Sequence, residues 1–283
     1  MIREKSKEVG RKILERVFNM FEGMGIGKIP GFFKLFLYFE ALLFDTIVKI
    51  DGQKIHLDVS FGPRSTLNLY FKRIHEPRVT SIFCSLIKEG DIVVDAGASI
   101  GYYTLLAAKR VGKNGYVYAF EPYPPSFKRL MENIKLNNWK NVHAYQLALS
   151  DSTKEEKFYV SKSGVVSGSS FALRRDSICI TVKAKPLDDI IKANIDLVKI
   201  DVEGAELEVL KGMEKTLAKG KAKIICEVHP KDISLLGYDI SEITNLLRKH
   251  GYKIYLIDEE RGLIPMNNLS ASLARYLFTR EEI

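Results

Sequence analysis

Cysteine is scarce in this chain and none of it is arranged for pairing. Cys84, Cys179 and Cys226 lie far apart with no CxxC pair, which argues against a disulfide framework and against a zinc knuckle and leaves reduced thiols as the expectation. Glutamine is almost missing, limited to Gln53 and Gln146, while Lys and Glu are abundant; that bias is expected of a protein from a hot environment. Long apolar runs are also missing. The most hydrophobic stretch, GFFKLFLYFEALLF at 31–44, is interrupted by Lys34 and Glu40 and is too short to cross a bilayer as a helix. The start MIREKSKEVGRK is charged throughout and does not read as a signal peptide, so the expected location is cytoplasmic, with peripheral membrane contact left open.

What the chain does have is positive charge: 43 Lys and Arg against 35 Asp and Glu, a net of +8. Such an excess suits an anionic partner (nucleic acid, anionic lipid or a phosphorylated substrate), and it also suits a Lys-rich soluble enzyme. With 46% apolar and 28% charged residues over 283 positions, the chain is globular and long enough for one large α/β domain with an extension. Ile13, Leu14, Val17, Phe18 and Phe21 recur at helical spacing in 1–22, and a second helix is expected at about 32–45. The first could lie on a membrane surface; packing on the core or in a homodimer is the favoured reading. TIVKIDGQKIHLDVS (46–60) alternates around Asp51-Gly52 as a hairpin does. The expected organisation is an accessory region of helices and hairpin over 1–80 and a second domain over 81–283.

From residue 91 strands alternate with helices: DIVVDAG, GYVYAFEP, NVHAYQLALSD, DLVKIDV, KIICEVHP and YKIYLIDE are strands, and GYYTLLAAKRVG, PPSFKRLMENIKLNN, AELEVLKGMEKTLAKG and SEITNLLRKHG are helices. EEKFYV and SICITV read as an inserted hairpin around the small-residue loop at 161–176, and ARYLFTR is a possible last strand. The pattern predicts a doubly wound, mostly parallel Rossmann-like α/β sheet, with ligands at the carboxyl ends of its strands.

Those strand ends carry the candidate site. Asp95, Gly97, Ser99, Gly101 and Tyr102 form a D-x-G-x-x-x-G turn into a helix, not the G-x-G-x-x-G of a dinucleotide site, so no pyrophosphate cradle is expected. Gly97 permits a tight turn with room for a ligand, and Gly101 permits the helix to pack close to the strand. Glu121, before Pro122, is placed to accept hydrogen bonds from both hydroxyls of a ribose. Leu149 and Ser150 offer an apolar wall and a polar edge for adenine. A glycine turn, a ribose acid and an adenine lip, with no diphosphate cradle, point to S-adenosylmethionine.

The chain resembles the FkbM-type family of S-adenosylmethionine-dependent methyltransferases over about residues 70–260. The segments that carry the resemblance are DAGASIGYYT, FEPYPPSF, NV…ALSD, the GSSF loop, PLDD, VKIDVEGAELEVLKG and EVHP, in the family's order. Ser99 stands where the family commonly has Asn, and Pro186 where Thr is usual. The resemblance implies a seven-stranded methyltransferase sheet and transfer of a methyl group to a hydroxyl oxygen of a sugar or natural product. Pro124-Pro125 follows the second strand, where proline starts a helix, and not the fourth, where base-methylating enzymes place such a motif.

Alternation along the strands puts Asp201 and Glu203 on one face of the fourth strand's end, and Glu227 with His229 on one face of the fifth. His229 titrates in the useful range and is the expected general base, with Asp201 and Glu203 orienting the substrate or the cofactor's ammonium. Asp201, Glu227 and His229 could instead hold Mg²⁺ or Mn²⁺; no metal is the favoured reading. Glu206 falls at the centre of the following helix's apolar stripe and needs partners, expected from helix amides or the N-terminal region, whereas Glu208 should face solvent. The leading function is an O-methyltransferase acting on a saccharide, glycolipid or other small molecule. An RNA methyltransferase would need basic residues clustered at the mouth. An inactive cofactor-binding partner protein is the remaining alternative, and the intact strip of Asp95, Glu121, Asp201 and His229 argues against it.

Overall fold

The structure is a computed structural model that describes residues 47–57, 63–161 and 177–283. The helices expected at 1–22 and 32–45, and loop residues 162–176, lie outside these. By its contacts the chain divides into two compact units between His75 and Glu76. In the first, strands β1 (Ile47–Ile50) and β2 (Gln53–His56) pair antiparallel and helix α1 (Pro63–Lys72) follows. Asp51 and Gly52 have positive φ, 49° and 79°, as the two-residue turn of a twisted hairpin requires.

The second unit opens with α2 (Pro77–Leu86) and β3 (Ile92–Ala96), then α3 (Tyr102–Arg110), β4 (Tyr116–Phe120), α4 (Pro124–Leu136) and β5 (Val142–Tyr145). The inserted strands are β6 (Ala148–Leu149), β7 (Lys154–Ser161) and β8 (Ser177–Lys185). The chain continues through α5 (Leu187–Ile190), β9 (Leu197–Ile200), α6 (Glu206–Lys211), α7 (Glu214–Lys219), β10 (Lys223–Val228), α8 (Pro230–Leu235) and α9 (Ile240–Lys249). It closes with β11 (Lys253–Asp258), β12 (Gly262–Met266) and β13 (Ala274–Thr279).

The main sheet has the order β12-β11-β13-β10-β9-β3-β4-β5. Strands β5, β4, β3, β9 and β10 run parallel, while β13 is antiparallel to both β10 and β11. The architecture is thus the expected Rossmann-like one, and the sheet is eight-stranded, one more than expected, because β12 turns back on β11 at the edge. Central β9 is buried at every position, which its LVKI sequence satisfies except at Lys199. Among the described residues, no helix is long and apolar enough to cross a membrane.

Two expected elements are each split. NVHAYQLALSD is not one strand: β5 stays in the main sheet and β6 joins a separate sheet of order β6-β8-β7, in which the predicted hairpin pairs Lys154 with Ala184 through Ser161 with Ser177. AELEVLKGMEKTLAKG is not one helix either. It breaks at Gly212-Met213, where the Gly212 carbonyl accepts from the Asp188 amide at 3.1 Å. Asp188 in return accepts from the amides of Lys215 (2.7 Å) and Thr216 (3.2 Å) and from the Thr216 hydroxyl (2.6 Å), capping α7 from outside the helix. Removing that cap in Asp188→Ala is expected to cost about 1–2 kcal/mol in urea unfolding, with no effect on cofactor affinity.

Candidate active site

Strand β9 lies between β3 and β10, with Ile200 in register with both Ala96 and Cys226. The Gly97 turn, Asp201 and Glu227 therefore emerge side by side at the carboxyl ends of three adjacent strands. Gly97 has a φ of 83°, and a Cβ there would lie 1.8 Å from the Asp201 carbonyl oxygen. Its glycine is required by the neighbouring strand end. Gly101 likewise faces a different neighbour from the expected one: a Cβ would lie 2.7 Å from Leu130 Cδ1 of α4. The Asp95 carboxylate, 2% exposed, accepts from the Thr104 hydroxyl at 2.5 Å. Burial pushes it up to about 6, against that hydrogen bond and the Lys199 charge.

Glu121 is buried at the end of β4. One carboxylate oxygen accepts from the Ser99 amide at 2.8 Å, and the other from the Tyr123 amide at 2.9 Å. Burial pushes its carboxyl up to about 7, those two hydrogen bonds notwithstanding. Ser99 reaches this position with a φ of 50°. The hydroxyls of two other candidates of the strip have partners within the protein. The Tyr102 hydroxyl lies 3.2 Å from the Thr80 hydroxyl, and Ser150 donates to Glu208 Oε2 at 2.6 Å. Leu149 is buried beside Ser150, and Pro122 follows Glu121 directly.

Strand β9 ends at Ile200, so alternation does not extend through the acids. Glu203 and Gly204 form a turn with φ of 53° and 113°, which swings Glu203 back over the end of β10. His229 Nδ1 is 2.7 Å from Glu206 Oε1, and its Nε2 is 3.6 Å from Glu203 Oε2. Glu206, fully buried, also accepts from the Gly204 amide at 2.9 Å, while its Oε2 has no hydrogen-bond partner among the described residues. Among the described residues its partners are thus an amide at the start of its own helix, as expected, and the imidazole past the end of β10. Burial would lower the His229 pKa, but the hydrogen bond to Glu206 and the charges of Glu206, Asp201 and Glu203 outweigh it and raise the ring to about 9. Glu208 is not the solvated charge that helical periodicity suggests. It is only 14% exposed and ties Ser150 and Lys154 Nζ (3.1 Å) to α6.

Asp201, Glu227 and His229 offer ligand atoms all within 4.8 Å of one another. Each already has a partner in the protein: Lys199 Nζ lies 3.3 Å from Asp201 Oδ2, Arg275 Nη2 is 2.7 Å from Glu227 Oε1, and Glu206 holds His229. Arg275 also bridges to Glu76 at 2.6 Å, and Tyr103 donates to the other Glu76 oxygen at 2.9 Å. Burial, with the charges of Asp201 and Glu76, raises the Glu227 carboxyl above its ordinary range. Lys199 and Arg275 escaped the sequence reading. The available signals were a lysine inside the otherwise apolar LVKI strand and, once β13 is registered on β10, an arginine opposite Glu227.

Residues 95–254 match the Methyltransferase FkbM domain, more than half of the chain. The chain belongs to the FkbM methyltransferase family. Hexuronic acid methyltransferase AglP of Haloferax volcanii is 30% identical over 190 residues, which cover 63% of this chain and 76% of that protein. The 31-O-demethyl-FK506 methyltransferase FkbM of Streptomyces tacrolimicus is 28% identical over 202 residues, 59% of this chain and 75% of that one. AMB antimetabolite synthetase AmbE of Pseudomonas aeruginosa is 29% identical over 203 residues, 58% of this chain, which spans only 10% of that much longer protein. The cofactor of this FkbM methyltransferase is S-adenosylmethionine, and Glu121 fits it. Each of its oxygens accepts one backbone amide and keeps a lone pair for a ribose hydroxyl. No cation pairs with this carboxylate among the described residues.

Proposed function

We propose that this chain is an O-methyltransferase that moves the methyl group of S-adenosylmethionine to a hydroxyl of a saccharide, glycolipid or other small molecule. The observation that carries the reading is the His229–Glu206 pair at the mouth. The bound cofactor supplies a methyl group on a sulfonium; the S–CH₃ bond breaks as the O–CH₃ bond forms, leaving a neutral thioether. The protein's part is to align the hydroxyl oxygen in line and to take its proton. Glu206 accepts at Nδ1, which sets the ring tautomer and leaves the Nε2 lone pair facing the acceptor side. The acceptor proton goes to Nε2, and Asp201 and Glu203 receive hydrogen bonds from the acceptor's neighbouring hydroxyls. Glu121 takes the ribose. The names of AglP and FkbM support an oxygen acceptor on a sugar or natural product.

Calorimetry and label transfer test this. Wild type should bind S-adenosylmethionine, and Glu121→Ala should weaken binding by about 100-fold or more, the worth of two hydrogen bonds to a charged group. Because the Glu121 carboxyl ionises near 7, affinity for the cofactor should fall as the pH drops below that value, by up to about tenfold per pH unit, and Glu121→Gln should flatten the dependence. Label from methyl-labelled cofactor, offered with a cell extract, should enter the saccharide or lipid-linked fraction. Entry into RNA, or unchanged binding in Glu121→Ala, overturns the reading.

A further inference from the structure

Beneath the mouth lies a cation that the proton transfer above does not use. Lys199 is 1% exposed in the central strand, a position that desolvates an ammonium completely. It is compensated on every side. Asp201 at the end of its own strand lies at 3.3 Å, and the Tyr103 ring of α3 lies under the ammonium at 5.1 Å. Asp95 of β3, Glu227 of β10 and Glu76 at the head of α2 act on it through their charges, and Cys226 of β10 is also within its field. Arg275 of β13 ties Glu76 to Glu227, and Tyr103 ties Glu76 to α3, so the acids around Lys199 are held by two cations and a phenol. Burial alone would lower the lysine's pKa; Asp201 and the other acids raise it, so the ammonium stays charged.

We infer that Lys199 is a positioning residue of the methyltransferase site, anchoring the Asp201 carboxylate from inside the sheet and, with Arg275, holding the Asp201–Glu227 pair beside His229. This rests on the proposed reaction, since Asp201 and His229 are the groups it would serve. Strands β9 and β10 bring two carboxylates into register at their ends. The buried ammonium, 3.3 Å from Asp201 Oδ2, offsets their like charge and fixes the direction of the Asp201 carboxylate. A lysine that only held the strand would leave label transfer undiminished in a folded, uncharged variant.

The test uses the full chain, with the Glu227 carboxyl titrated by ¹³C NMR and S-adenosylmethionine binding measured by calorimetry. Lys199→Met is expected to move the Glu227 midpoint up by about one pH unit or more. Label transfer to the extract should drop by about tenfold or more at neutral pH. Lys199→Arg, which keeps the charge, should return the midpoint close to that of wild type. Lys199→Gln keeps a donor to Asp201 without the charge and serves in place of K199M if that variant does not fold. An unchanged midpoint in the uncharged variant, undiminished label transfer, or a K199R variant that titrates like K199M overturns the inference. Failure of wild type to bind the cofactor or to transfer label overturns the proposed function instead, and the Glu227 titration still decides whether Lys199 governs the acids.

Discussion

Replacing His229 by Ala is expected to lower turnover by about 100- to 10,000-fold, the usual contribution of a positioned base, while the affinity for S-adenosylmethionine changes by less than about twofold. The ring is held by Glu206 at 2.7 Å. The pH dependence carries more information than the size of the loss. A base must be unprotonated to act, and this imidazole is raised to about 9 by the carboxylates around it. In wild type kcat/KM should therefore climb about tenfold per pH unit across the neutral range and level off near 9. Glu206→Gln removes the charge that holds the proton, so the plateau should begin at lower pH. A profile flat from neutral to alkaline pH, or full activity of His229→Ala, would remove His229 from the chemistry. The linkage to stability has a definite sign. A pKa raised on folding from 6.5 to about 9 stabilises the fold fully below 6.5, and that contribution is lost as the pH rises through 9.

Gly97→Ala is the substitution with the largest expected cost to the fold. The added Cβ would sit 1.8 Å from the Asp201 carbonyl oxygen and 2.8 Å from its carbon. Neither side can yield cheaply, because the Asp201 amide donates to the Ala96 carbonyl at 2.9 Å and locks the two strand ends together. The φ of 83° adds about 1–2 kcal/mol for any L side chain. Together these should exceed about 4 kcal/mol, a large part of the whole stability of a typical domain. Urea unfolding is the measurement. Gly237→Ala is the control: its φ is 85° with nothing within 4 Å, so only the conformational cost of about 1–2 kcal/mol should appear. Equal losses in the two variants would show that the contact with Asp201 carries no weight.

Much of the cofactor side was legible because its signals are local. A strand period ending in Asp95, then Gly97, then a helical period, is a complete statement about a turn, and Glu121 before Pro122 marks a strand end. The acid cluster was only half legible. Alternation placed Asp201 and Glu203 on one face, but β9 stops at Ile200 and the backbone enters a left-handed turn at Glu203. No strand periodicity survives a positive φ. Periodicity marks Glu206 as a buried charge in need of partners, yet its partner His229 is 23 residues away, just past the end of β10. Glu208 was assigned to solvent by its helical angle; the inserted β7 lies there and covers it.

By its amino-acid order alone this chain determined the alternation of strands and helices, the parallel sheet, the cofactor turn and the residues that could carry charge at each strand end. Those features depend on neighbours within a few residues, where periodicity and backbone sterics decide. Only the tertiary structure decided which distant charges meet: His229 with Glu206, and Arg275 with Glu76 and Glu227. These pairings follow from strand order, above all from β13 being inserted antiparallel beside β10. The energy that selects such an order is summed over the whole buried core and is written in no single stretch of sequence.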